Sequence, residues 1–262
     1  MENTKMKDYI IFPLPKTIDE VIAQLQQITD HSIATKNCAG YFAVLYNKVT
    51  RKIKDCIGEK SFEDCTRMER LDVIFANRYI DAYNSWISGK KTTASWQLAF
   101  ETAVDNTSLV LQHLLVGMNA HINLDLGIAS ANVMDGLALD NIHNDFNTIN
   151  NVLGAMINNM EDCLTKVNPL LRLLHLNWFK YDEMLVQFSM NTARDGAWEF
   201  AKEISGKTGR AFEDCLAARD KRIAELGKVI AHPKGILLKT IVRLIRLFEK
   251  KDVGNVMEFL GA

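Results

Sequence analysis

No proline occurs between Lys16 and Asn168. An all-β chain needs proline and glycine at its many turns, whereas long helices exclude proline from their interiors. Only 4 prolines and 14 glycines are present in 262 residues, which points to a mostly helical fold. Apolar residues make up 48% and charged residues 24%, ordinary globular usage with ample material for a core. The formal net charge is -1, so no global field exists to hold a polyanion, and nucleic acid is not expected as a partner.

Five cysteines (Cys38, Cys56, Cys65, Cys163 and Cys215) include no CxxC pair and read as free thiols of a reducing compartment. The opening MENTKMKDYIIFPLP has only a short apolar run and no cleavage pattern, so no signal peptide is expected. No window approaches about 18 uninterrupted apolar residues, so no transmembrane segment is expected. The cytoplasm is the default setting.

Periodicity and punctuation lay out the helices. Pro13 and Pro15 end an extended leader of residues 1–16, and Thr17 with Glu20 is a capping-box pattern opening a helix to about Thr29. Phe42, Leu45, Val49, Ile53 and Ile57 mark a second helix, and a third runs from Phe62 to about Trp86. A fourth, expected unbroken from Ala94 to about Ile128, is apolar on nearly every side from Leu109 to Met118, the mark of a buried helix. A fifth spans about Leu139 to Val167, and Asn168-Pro169 starts a sixth. Gly206 and Gly209 separate the next pair, and His232-Pro233-Lys234-Gly235 breaks the chain before a last long helix. The expectation is one all-α, bundle-like domain over residues 1–262 with a long buried central helix.

The chemistry concentrates in that central helix. His113, Gly117, His121 and Asp125 follow one another at i+4 and form one stripe. Burying polar groups unpaired costs roughly 2–7 kcal/mol, so these side chains must have partners. Gly117 costs about 1 kcal/mol against alanine and is expected to admit something close to the backbone. Asp72, Arg78 and Asp81 lie in LDVIFANRYIDAYNSW; Asp140, His143, Asn144, Asp145 and Asn147 open the fifth helix. His121 with Asp125, and His143 with Asn147, have the i+4 spacing of helical metal sites. The same imidazoles and carboxylates also fit a satisfied core network that ties helices together.

The stretches GYFAVLYNKVTRKI, FEDCTRMERLDVIFANRYIDA, LQHLLVGMNAHINLDL and ARDGAW resemble a bacterial and fungal family of unknown function. That resemblance implies a single all-helical domain and carries no activity. Its shared polar positions here are Asp72, Arg78, Asp81, His113, Asn119, His121, Asn123, Asp125, Asp145, Arg194 and Trp198. Gly117-x3-His121-x3-Asp125, followed by His143, is similar to the helical zinc-dependent phospholipases C and related zinc nucleases. The chain departs from them in having Asn147 at a glutamate position, no histidine soon after Asp125 and no N-terminal tryptophan ligand. Asn144-Asp145-x-x-Thr148 partly matches the magnesium motif of class I terpene synthases, with Val152 where a glutamate belongs and no DDxxD partner.

Three functional readings follow. The first is a metal-dependent hydrolase of an ester or phosphoester, its zinc, manganese or magnesium held by His121, Asp125, His113, Asp72 and His143. In it, Arg194 steadies an anionic substrate lined by Arg78, Asn119, Asn123, Asp145 and Trp198, and Asp72, His113, His121, Asp125 and Arg194 are the catalytic set. The second is a non-enzymatic helical protein that binds a small molecule, with the His–Asp network shaping the pocket. The third is a magnesium-dependent, terpene-synthase-like lyase. Outside this region, His175 reads as a packed histidine, His31 and His232 as helix-end residues, and the 10 methionines as core filler. Lys239, Arg243, Arg246 and Lys250 oppose Ile241, Leu244, Ile245 and Phe248 on the last helix. That basic amphipathic pattern suits either docking on the bundle or an anionic membrane surface. No GxSxG, P-loop or GxGxxG is present.

Overall fold

The computed structural model of the chain describes residues 11–105, 107–134, 138–171 and 190–262. Every regular element among the described residues is helical. In chain order these are α1 (Ile18–Thr35), α2 (Gly40–Gly58), α3 (Cys65–Ile87), α4 (Ala94–Val104) and α5 (Val110–Ala120). A π-helical turn (His121–Leu126), α6 (Gly127–Met134), a 3-10 turn (Leu139–Ile142) and α7 (His143–Val167) follow. The last four helices are α8 (Met190–Ile204), α9 (Gly209–Ala231), α10 (Ile236–Phe248) and α11 (Val253–Gly261).

Local chemistry explains the boundaries. Thr17 Oγ1 accepts from Glu20 N at 3.2 Å, as the capping pattern predicts. The helix then runs past Thr29 to Thr35 and stops at Lys36, whose φ of 53° is left-handed. His31 therefore lies within α1, against the Phe12 ring, rather than at its end. His232 does cap α9, its N–H bonding Lys228 O at 2.9 Å. Asn168 Oδ1 accepts from Leu170 N at 3.1 Å, a local bond that turns the chain after α7. The sixth helix expected from Asn168-Pro169, with His175, falls on residues outside those described. The leader is held by amides of α3: Asn84 bonds both backbone groups of Phe12, at 2.9 and 2.7 Å, and Asn77 donates to Pro15 O at 3.0 Å.

The helix expected to run unbroken from Ala94 to Ile128 is interrupted. Asp105 takes the N–H and hydroxyl of Thr107 at 3.0 and 2.8 Å, a local turn that competes with the helical ladder. Gln112 then accepts from Leu109 N at 2.9 Å and restarts the chain as α5. From Val110 to Met134 the chain is helical throughout but widens into the π-turn, all six residues of which are buried.

Around this central rod, α4 and α9 pack on α5, α8 packs on the π-turn and α6, and α3 crosses α6. α1 pairs with α2, and α11 closes the far side against α2 and α7. Gly117 and Gly127 mark two close approaches along the central rod. A Cβ on Gly117 would lie 2.8 Å from the Phe42 ring, so the group that Gly117 admits is a ring of the protein's own core. A Cβ on Gly127 would meet the Ala197 carbonyl oxygen at 2.7 Å and Phe200 at 2.9 Å. No helix among the described residues is long and apolar enough to cross a membrane.

Backbone cannot yield as a side-chain tip can, so Gly127→Ala forces α6 and α8 apart. We expect it to destabilise the fold by about 1–3 kcal/mol despite alanine's better helix propensity. Urea unfolding of the variant beside wild type checks this.

Candidate functional site

Asp125 sits on the π-turn and is fully buried. Its Oδ1 accepts from Arg78 Nε of α3 at 2.7 Å, and its Oδ2 from the Trp96 indole of α4 at 2.7 Å. His121 Nδ1 lies 3.3 Å from the same Oδ2. Burial alone would raise the Asp125 carboxyl, but Arg78, His121 and Trp96 together hold it below its ordinary range. An ionised carboxylate only accepts, so His121 carries its proton on Nδ1 and leaves Nε2 as a bare acceptor. Burial lowers the His121 imidazole, with Asp125 opposing and Arg78 reinforcing the shift.

Aromatic rings enclose that imidazole. Phe75 stacks on it at 3.6 Å and 7°, Tyr46 meets it edge-on at 4.5 Å, and Phe42 lies at 5.4 Å. Trp96 and Tyr79 complete the shell at 5.9 and 6.3 Å. Asp72, one turn before Phe75 on α3, is also buried. Burial, with a smaller push from Glu69, raises its carboxyl to about 7. Burial raises the Tyr46 hydroxyl, and the charges of Asp72, Asp125 and Tyr79 push it further the same way.

Several enclosed polar atoms here have no hydrogen-bond partner among the described residues: His121 Nε2, Asp72 Oδ2, Thr50 Oγ1 and the hydroxyls of Tyr46 and Tyr79. Buried polar groups are normally satisfied, so such a group of orphans calls for an explanation. Chemically the cluster offers one imidazole acceptor, one carboxyl able to give or take a proton near neutrality, and two phenols.

The remaining expected residues are distributed elsewhere. His113 stands eight residues before His121, about 12 Å along the helix and offset by about 80° around it. It packs edge-on against Tyr41 at 5.8 Å. Burial, reinforced by Arg246 and opposed by Asp105, lowers it to about 4. Asn119 and Asn123 clasp α9: Asn119 Nδ2 donates to Ile223 O at 2.9 Å, and Asn123 Nδ2 donates to Asn119 Oδ1 at 3.1 Å. Arg219 Nε caps the Asn123 carbonyl of the π-turn at 3.0 Å. Asp145 accepts from Glu63 N at 2.6 Å, Asp64 N at 3.2 Å and Arg67 at 3.2 Å, fastening α7 to the start of α3. Asn144 bonds Glu63 at 2.8 Å, and Thr148 bonds the Asn144 carbonyl at 3.0 Å.

His143 is exposed, stacked on Trp198 at 4.6 Å, and Asp81 and Asp140 face solvent. Arg194 is buried, donates to Phe146 O at 2.6 Å and lies over the Phe146 ring at 4.9 Å. Burial lowers its guanidinium to about 10, with Asp195 opposing. The structure thus joins His121, Asp125 and Arg78, buries Asp72 one turn before Phe75 on α3, and leaves His113, His143, Asp145 and Arg194 in separate surroundings. The five expected metal ligands do not converge: among the described residues, no three His, Cys, Asp or Glu side chains stand close enough to hold an ion. Tyr46, Phe75, Tyr79 and Trp96 went unread as site residues because a ring on an apolar helix face looks like core in the sequence.

Removing Asp125 strands Arg78, Trp96 and His121 together. Asp125→Ala should cost about 3–5 kcal/mol of stability, and exposed Asp81→Ala no more than about 0.5 kcal/mol, read by urea unfolding. Folding raises Asp72 from 3.8 to about 7, so stability from this group is present at low pH and is lost as pH rises through that interval. Asp72→Asn should therefore exceed wild type above pH 7, by up to about 4 kcal/mol for about three pKa units. His113, depressed from 6.5 to about 4, works in the other direction, its contribution vanishing as pH falls through that range. Unfolding midpoints from pH 4 to 8 for wild type, Asp72→Asn and His113→Phe separate the two slopes.

No curated protein and no solved structure matches the chain. A family model covers residues 18–233, from the first residue of α1 to just past the end of α9, and the chain therefore belongs to the Family of unknown function (DUF5995).

Proposed function

We propose that the protein binds a small polar molecule in the bundle interior, between α2, α3 and the π-turn. The observation that carries this reading is the set of enclosed atoms without hydrogen-bond partners among the described residues: His121 Nε2, Asp72 Oδ2 and the Tyr46 and Tyr79 hydroxyls. A ligand with one donor facing His121 and acceptors facing the phenols satisfies them, and the stacked aromatic shell supplies flat apolar walls. Arg78 marks the entrance, because its side chain is 28% exposed while its Nε is fixed on Asp125. The cysteine usage supports a cytoplasmic setting.

Metal-dependent hydrolysis of an ester or phosphoester is the second reading, favoured by one specific feature. A metal-binding histidine commonly donates its other ring N–H to a carboxylate, and His121 presents Nε2 with Nδ1 turned to Asp125. In that reading His121 Nε2 and Asp72 Oδ2 are the donors, and Asp125 is a support rather than a ligand. Bound metal would activate water for attack on the substrate.

Mass spectrometry of small molecules released on denaturing the untagged protein, with metal content measured on the same sample, tests both. A compound released by wild type and absent from His121→Ala and Tyr46→Phe supports binding. Near-stoichiometric zinc or manganese lost in His121→Ala and Asp72→Asn supports the hydrolase. Wild type carrying neither, after purification without chelator and incubation with added metal, sinks both readings and leaves a structural network.

A further inference from the structure

The last long helix is not the two-faced helix that its sequence pattern describes. Ile245 is buried with Leu109 and Leu171, and Ile241 and Val242 pack beside it. Leu244 and Phe248, expected on that same inner side, point outward instead. Leu244 is 51% exposed, Leu247 69%, Phe248 62% and Ile236 87%. Eight large apolar side chains are exposed among the described residues, and these four share one helix. Ile236, Leu244, Leu247 and Phe248 fall on one face at helical spacing, with Thr240 between them.

Charge follows the same geography. Lys239 and Arg243 are exposed along the flank of that apolar stripe, and Lys234, Lys250 and Lys251 are exposed at its two ends. No aspartate or glutamate occurs from His232 to Phe248. The first carboxylate, Glu249, is buried and bonded to Arg246 at 2.7 Å and to Val110 N at 3.1 Å. In a chain of net charge -1, this outer face is uniformly basic. It is also anchored at both ends: α9 packs on α4 and α5, and α11 buries Val253, Val256, Met257 and Leu260 against the body.

We propose that α10 is a peripheral membrane-docking element that lies in the headgroup layer of an anionic bilayer. With 13 residues the helix spans about 20 Å, fit to lie in the interface plane. Leu244, Leu247, Phe248 and Ile236 enter the acyl boundary, while Lys239 and Arg243 keep their ammonium and guanidinium groups among lipid phosphates. The charge pattern selects anionic lipid, since a zwitterionic surface offers no attraction to five exposed cations.

Co-sedimentation of the full chain with vesicles tests this, comparing phosphatidylcholine alone with phosphatidylcholine containing phosphatidylglycerol. Binding is expected only to the anionic vesicles and should weaken sharply in 0.5 M salt. Leu247→Glu should abolish it. Lys239→Gln with Arg243→Gln should lower partitioning roughly thirty-fold, from about 1 kcal/mol per basic residue near the surface. All these positions are exposed, and circular dichroism confirms that the variants fold. Failure to sediment with anionic vesicles at low salt overturns the proposal, as does binding that Leu247→Glu leaves intact. A dimer in solution that Leu247→Glu returns to monomer, without vesicle binding, also overturns it by assigning the face to a second copy.

Discussion

The buried carboxylate of Asp125 organises the interior. An unpaired charge at full burial would cost many kcal/mol, so the fold must bring it a cation and donors. Arg78 comes from α3, Trp96 from α4, and His121 from the turn that carries Asp125 itself. Three helices thereby meet at one point, and their relative positions are set by hydrogen-bond geometry, which is narrower than apolar contact. The π-turn is part of the same arrangement. Its looser winding upsets the regular ladder, and Arg219 of α9 donates to a carbonyl within it. The irregular stretch of this buried helical run thus coincides with its most polar residues.

What the sequence makes legible follows from the range of each interaction. The i+4 spacing of His121 and Asp125 is local, so their pairing can be read directly, and Arg78 stands out as a cation inside an otherwise half-apolar helix. The caps at Thr17 and Asn168 are equally local. Trp96 reaches Asp125 across 29 residues of chain, and nothing in its own neighbourhood announces that bond. His143 shows the opposite failure. Its spacing to Asn147 imitates a ligand pair, but His143 is exposed and its imidazole lies on Trp198. The break at Asp105 is masked by apolar residues continuing from Leu109, although Asp105 and Thr107 carry the turn chemistry that causes it. Helical periodicity reports which face is buried, not which of several buried faces a residue joins; His113 and His121 are both buried and do not share surroundings.

The aromatic shell around His121 decides what kind of chemistry the interior supports. Burial lowers the His121 imidazole and raises the Asp72 carboxyl, so each is shifted toward its neutral form. The one full charge, on Asp125, is already matched by Arg78. A ligand of the kind proposed would thus meet neutral donors and acceptors rather than a net charge. That favours a molecule recognised by hydrogen bonds over one recognised by ionic pairing, and it disfavours a cation unless Asp72 gives up its proton.

The chain changes character along its length. Residues 18–233 match the family and contain the whole Asp125 network, whereas α10 and α11 lie beyond that match. The two regions also obey different physics. In the first, polar groups are enclosed and stability depends on each finding a partner. In the second, apolar groups are exposed beside cations, a pattern that costs free energy in water and becomes favourable only against another surface. Neither arrangement is the cheapest way to fold a helical bundle; a core of leucines and a polar outer helix would suffice. Both departures concentrate where contact with another molecule would repay them, the interior for a small one and α10 for an extended one.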